Sequence, residues 1–148
     1  MQERVAYIKL DGFSTSAIPM EYSTKLVASV GTRSSLIANS KEFQLKDKRL
    51  SKIWYYKYNN PSKSSFIFAL YKKRIFGGDL KIGEVELKIS AFEPNTIVKK
   101  KFVLKDSSFK GAKSSAVLSV HVCDNGAAPF EAPIDGKIIS DVQVHRRF

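Results

Sequence analysis

The chain has 148 residues, a single cysteine and a formal charge of +11, with 25 Lys and Arg against 14 Asp and Glu. That length suits one domain with a core of its own, and 43% hydrophobic with 11% aromatic residues argues against disorder. An internal disulfide is excluded, a run of about 18 apolar residues that would span a membrane is absent, and the Met1-Gln2-Glu3 start fits neither a secretory signal nor myristoylation.

The periodicity along the chain is that of strands. Residues 5–10 open as a β-rich run and meet Asp11-Gly12, a turn signal. Residues 25–30 alternate and stop at Gly31, and 42–45 form a short alternating piece. Residues 53–58 are aromatic and break at Asn59-Asn60-Pro61. Residues 66–71 are apolar on both faces, as a central strand is. In 84–89, Val85, Leu87 and Ile89 share one face and Glu84, Glu86 and Lys88 the other. A helical turn is expected only within 90–96, where Pro94 limits it. Residues 101–104 and 116–122 complete an all-β pattern, an eight-stranded antiparallel β-sandwich.

The sandwich is expected to occupy residues 1–123. Residues 124–148 are expected to form an extended tail containing Pro and Ala, with one extra strand around Ile138, Ile139, Val142 and Val144. That strand can add to an open sheet edge, its own or a partner's, which makes those four residues candidate partner contacts. The charge is uneven: 22 basic and 10 acidic residues lie in 1–123, against 3 and 4 in 124–148. A field of that sign favours anionic lipid, nucleic acid or an acidic protein surface. The plain alternative is a cationic surface without a specific anionic ligand.

The order of these elements resembles the C2 domain. Residues 66–71 followed by Asp79-x-x-Ile82-Gly83 carry the resemblance best. Pro19-Met20-Glu21-Tyr22 before 25–30, Trp54 to Tyr58, and Lys110-Gly111 before the last strand support it. The competing fold is an immunoglobulin-like sandwich. The resemblance implies a β-sandwich that docks on membranes or proteins. In calcium-binding members, carboxylates from two loops at one tip would surround the ion. This chain offers only Glu21 and Asp11 for the first loop and Asp79 for the second, with Tyr71, Lys72 and Lys73 where acids would stand. A dication needs several oxygen ligands at about 2.3–2.6 Å, and neighbouring cations repel it. The expectation is a calcium-independent module without metal or cofactor.

Lys72, Lys73, Arg74, Ile75 and Phe76 form the first candidate site. Three cations beside two apolar residues suit an anionic surface over an apolar layer; a solvated loop whose apolar pair packs back is the alternative. Lys46, Lys48, Arg49, Lys52 and Lys57 form a second cluster, which by resemblance could bind phosphoinositides on a sheet face, or simply protect an edge strand. Lys99, Lys100, Lys101, Lys105, Lys110 and Lys113 form a third basic group. Trp54, Tyr55, Tyr56 and Tyr58 could stack on bases, but no aromatic RNA-binding signature is present, so nucleic acid ranks last among the anions. There is no Gly-x-Ser-x-Gly elbow and no phosphate-binding glycine loop. His121 and Cys123 fall on one face of a strand, two ligands and too few for zinc, and read as packing residues. The sequence thus reads as a non-catalytic intracellular docking module. It favours an acidic protein assembly of scaffold or cytoskeletal kind, then an anionic membrane surface.

Overall fold

The computed structural model describes residues 4–18, 24–44, 52–131 and, by backbone alone, 138–141. These hold nine strands: β1 (Val5–Thr15), β2 (Lys25–Gly31), β3 (Ser40–Gln44), β4 (Trp54–Lys57), β5 (Ser65–Lys72), β6 (Leu80–Lys88), β7 (Thr96–Leu104), β8 (Ser114–Cys123) and β9 (Ile138–Asp141). Eight pair antiparallel into two four-stranded sheets, ordered β4-β1-β8-β7 and β3-β2-β5-β6. β9 adds to the first sheet, parallel to β7, with Lys100 opposite Asp141. The extra strand expected in the tail therefore pairs with the chain's own sheet edge over 138–141; Val142 and Val144 lie outside the described residues.

The period-2 pattern explains the core. Ala6, Ile8, Leu10, Leu118, Val120 and Val122 face Leu26, Ala28, Val30, Phe66, Phe68 and Leu70 across the sandwich. Asp11-Gly12 is not a turn. It is a β-bulge: β1 runs through it to Thr15, and the register against β8 shifts between Leu10 and Gly12. One extra residue is taken up there without ending the pairing. The helical turn falls at Ile89–Ala91, one 3-10 turn. β7 begins five residues before the expected strand, because Lys99, Lys100 and Lys101 hide an alternation in which Thr96 and Phe102 are buried.

β5 is apolar on both faces because both are covered. Phe66, Phe68 and Leu70 enter the main core, while Ile67 and Ala69 pack with Leu36 in a second, smaller one. Leu36 comes from the turn after β2, which folds back over the outside of the sheet. Arg33 in that turn donates to both carboxylate oxygens of Glu84 on β6, at 2.9 and 2.6 Å. Lys81 donates to the same group. The Arg33 guanidinium, with Lys81, holds the Glu84 carboxyl down to about 2 although burial opposes it.

The two sheets meet in direct backbone contact where β6 passes the end of β7. Gly83 is buried there, and a Cβ added to it would lie 2.6 Å from Leu104 Cβ. The next residue exchanges both backbone hydrogen bonds with Lys105, at 2.8 and 2.7 Å, and Ser108 N–H donates to Lys81 O at 2.8 Å. Glycine in the Asp-x-x-Ile-Gly element is thus a contact requirement. Gly83→Val is expected to cost about 1–3 kcal/mol by overpacking, read as a lower denaturation midpoint; an unchanged midpoint would contradict this contact. Glu84→Gln is expected to cost about 1–3 kcal/mol near neutral pH. In the native chain the Glu84 contribution is full above about 4.5 and is lost as pH falls toward about 2. Acid unfolding curves of the two proteins should therefore converge at low pH, and parallel curves would sink the assignment.

Candidate functional site

Antiparallel pairing gathers the C-terminal ends of β1, β3, β5 and β7 at one end of the sandwich. Lys73 N–H donates to Lys25 O at 3.0 Å, and Ser16 N–H to Lys113 O at 2.9 Å, so the chain crossings at this end are tied to one another. The connection from β5 to β6 is the tip. Ile75 is 92% exposed and Phe76 86%. They do not pack back onto the sandwich. The turn that presents them is built: Arg74 Nε donates to Gly78 O at 2.7 Å. Gly77 takes φ +84, a left-handed conformation that glycine allows.

Around this pair stand the cations. Lys72 is half-buried and Lys73 and Arg74 are exposed. Lys73 pairs with Glu42 of β3, which holds its ammonium above the usual lysine range and Glu42 below the usual carboxylate range. Lys105, Lys110 and Lys113, in the connection between β7 and β8, are exposed at the same end. Lys25, which begins β2 there, is exposed as well; Lys52 is exposed but precedes β4, whose pairing with β1 reaches only Ile8. By sequence, the Lys72–Phe76 run and the later lysines form separate groups; the fold brings them together. Strand parity was the available signal: connections two strands apart leave an antiparallel sandwich at the same end.

The other sequence candidates separate. Lys99, Lys100 and Lys101 sit within β7, away from the three lysines that follow it. Lys52 stands at the tip end of β4, whereas Lys57 is at the opposite end, paired with Val5. Lys46, Lys48 and Arg49 lie outside the described residues. Ile138 and Ile139 are in β9 against Ile97 and Val98. Among the aromatics, Trp54 and Tyr58 are buried and Tyr55 is exposed; Trp54 Nε1 donates to Asn39 O at 2.7 Å. His121 and Cys123 are buried in mutual contact, 3.1 Å from Nε2 to Sγ. Burial raises the Cys123 thiol to about 11.

Of the three acids the sequence offered for the two loops, Glu21 lies outside the described residues, and Asp11 and Asp79 do not converge. Asp11 accepts from Ser119 on the five-stranded sheet, while Asp79 lines a cavity of about 330 Å³ on the other sheet with Val27, Ser29, Ser40 and Tyr71. Among the described residues that lining carries one carboxylate and no cation, which suits a phosphorylated ligand poorly. Among the described residues, no three His, Cys, Asp or Glu side chains come together as a metal set. No described helix is long and apolar enough to cross a membrane.

No family model matches the chain, and no curated protein sequence does. Solved structures do. A C2 domain of plant Extended Synaptotagmin 1 overlays with a TM-score of 0.64 at 11% identity, covering 84% of this chain and 98% of that domain. CC2D1B matches with a TM-score of 0.55 at 12% identity over 82% of this chain and 55% of its own. Human GIVD cytosolic phospholipase A2 matches at 0.56 and 11% identity over 86% of this chain but only 18% of the enzyme. Identities this low speak for the fold, and with the two four-stranded antiparallel sheets described above they make this chain a β-sandwich of C2 type.

Proposed function

We propose that this protein is a non-catalytic, calcium-independent C2-type module that docks on anionic phospholipid membranes through its tip. The observation that carries the reading is the exposure of Ile75 and Phe76, 92% and 86%, beside Lys72, Lys73 and Arg74. Moving both side chains from water into an acyl layer is worth about 3–5 kcal/mol. Each cation brought to an anionic surface adds about 1 kcal/mol. Neither term alone holds a protein tightly; together they suit a shallow, reversible insertion with the surrounding lysines at headgroup level. That two of the similar folds occur in an extended synaptotagmin and a cytosolic phospholipase A2 supports a lipid surface as the partner class. Residues 1–123 would be the docking unit and 124–148 an appended segment, in an intracellular, membrane-peripheral protein.

An acidic protein assembly, scaffold or cytoskeletal, is the second reading. The broad basic field supports it. The tail supports it less, because residues 138–141 are already paired with β7.

Sedimentation with vesicles tests the proposal. Binding is expected on phosphatidylserine-containing vesicles and not on neutral ones, insensitive to calcium or chelator, and weaker as salt rises. The double change Ile75→Ser and Phe76→Ser should weaken it by at least about 10²-fold. Changing Lys72, Lys73 and Arg74 together to Gln should weaken it by a similar factor. Equal binding to neutral vesicles, a need for calcium, or indifference to the tip changes would overturn the membrane reading. No vesicle binding at moderate salt would leave the acidic protein surface as partner.

A further inference from the structure

We propose that residues 126–131 form a detachable strap over the outer face of the five-stranded sheet, held shut by the neutral imidazole of His121 and released when that ring is protonated. His121 lies on β8 opposite Tyr7, on the face turned away from the core, yet it is fully buried. What covers it is the segment after β8. The Phe130 backbone N–H donates to His121 Nδ1 at 3.0 Å. Nδ1 must therefore be unprotonated, which leaves the ring hydrogen on Nε2, facing Cys123 Sγ at 3.1 Å. The Phe130 ring sits 6.0 Å from the imidazole, and Lys9 Nζ lies 4.6 Å from the Phe130 ring centroid.

The segment has a fixed end and a pivot. Asp124 and Asn95 exchange two hydrogen bonds, at 2.7 and 3.1 Å, and so fasten the chain as it leaves β8. Gly126 follows with φ +75. Phe130 itself has φ +60, a left-handed conformation that costs a non-glycine residue about 1–2 kcal/mol. Its contacts with His121 and Lys9 have to outweigh that cost, so the closed strap is only modestly favoured and one lost hydrogen bond can decide its position.

Protonation removes that bond and adds a repulsion. A hydrogen on Nδ1 would point at the Phe130 N–H. The charges that meet the ring do not compensate. From β1 come the Tyr7 ring, at 6.0 Å, and the Lys9 ammonium beyond Phe130. From β7, Ile97 stands opposite His121 and brings no charge; from β8 comes the Cys123 thiol, uncharged at neutral pH, and Asp124 acts on Cys123. Burial pushes His121 below the usual histidine range. The closed state therefore has its full stability above about 6.5 and loses it as pH falls below that value.

The test is NMR on the full chain, following the His121 ring and amide exchange corrected for its intrinsic pH dependence. Phe130 amide protection is expected to fall at least tenfold from neutral to mildly acid pH, roughly in step with His121 titration, while core amides such as Phe68 and Leu118 keep theirs. His121→Gln, whose side-chain oxygen accepts at every pH, should abolish the pH dependence. Should that buried change prevent folding, Phe130→Ala serves instead: it should raise the His121 titration toward the ordinary value and leave the core amides intact. Phe130 protection that follows the core across pH, pH dependence retained in His121→Gln, or a His121 titration unmoved by Phe130→Ala would each overturn the proposal.

Discussion

The contact between Gly83 and Leu104 determines how the two halves of the sandwich meet. Two four-stranded sheets with apolar inner faces will stack, but stacking alone leaves their ends free to slide. Here β6 passes β7 so closely that only a hydrogen fits on residue 83. The paired backbone bonds between Glu84 and Lys105 then lock the crossing. Several features follow from that junction. The connection from β5 to β6 and the connection from β7 to β8 are brought to one end. The Glu84 side chain, fixed by its own backbone, points outward to Arg33 and fastens the turn that covers Ile67 and Ala69.

The junction also organises charge. A sandwich with this many lysines would gain little from scattering them, since exposed charges farther apart than about 10 Å are screened at ordinary ionic strength. Gathering Lys72, Lys73, Arg74, Lys105, Lys110 and Lys113 at one end makes a local field that an anionic surface meets all at once. The acids at that end act differently. Glu42 steadies Lys73, and Asp79 turns into a cavity of its own on one sheet face. Ile75 and Phe76 stand in front of the cations, in water, at a position where packing inward would have been the favoured outcome for two large apolar side chains. A turn built from Arg74, Gly77 and Gly78 keeps them there.

Much of the fold was legible in the sequence, for physical reasons that also mark where legibility stopped. The two-sided apolar run of β5 announces a strand covered on both faces, whereas Asp79-x-x-Ile82-Gly83 stood out only as a motif, its close approach to Leu104 being a tertiary fact. Asp11-Gly12 misled because the same residues that allow a turn also allow a bulge; whether β8 continues alongside is a non-local fact. The start of β7 was hidden because three successive lysines erase a period-2 pattern, although long lysine stems can lie along a sheet with only the ammonium in water. The candidate site was half legible. The run from Lys72 to Phe76 stood out, but its exposure depends on tertiary packing, and its partners around residue 110 depend on strand order. That His121 and Cys123 pack was legible, and both are buried; what covers His121 was not, since a strand pattern cannot foresee a later segment folding across the outer face.

The tip and the strap lie toward opposite ends of the molecule. Lys72 closes β5 at the end where the basic connections gather, whereas His121 pairs with Tyr7 in the half of β1 farthest from it. A module inserted by its tip would therefore hold the strap and β9 away from the membrane, facing solvent. The parallel pairing of β9 with β7 has only four residue pairs, a short strand. Before it, Phe130 is the point where the chain leaving β8 grips the sheet. On the two proposals, the chain would separate its tasks by distance: an anionic surface would be met where exposed apolar and cationic side chains stand together, and the sheet edge would be governed where the His121 imidazole accepts the Phe130 backbone hydrogen bond.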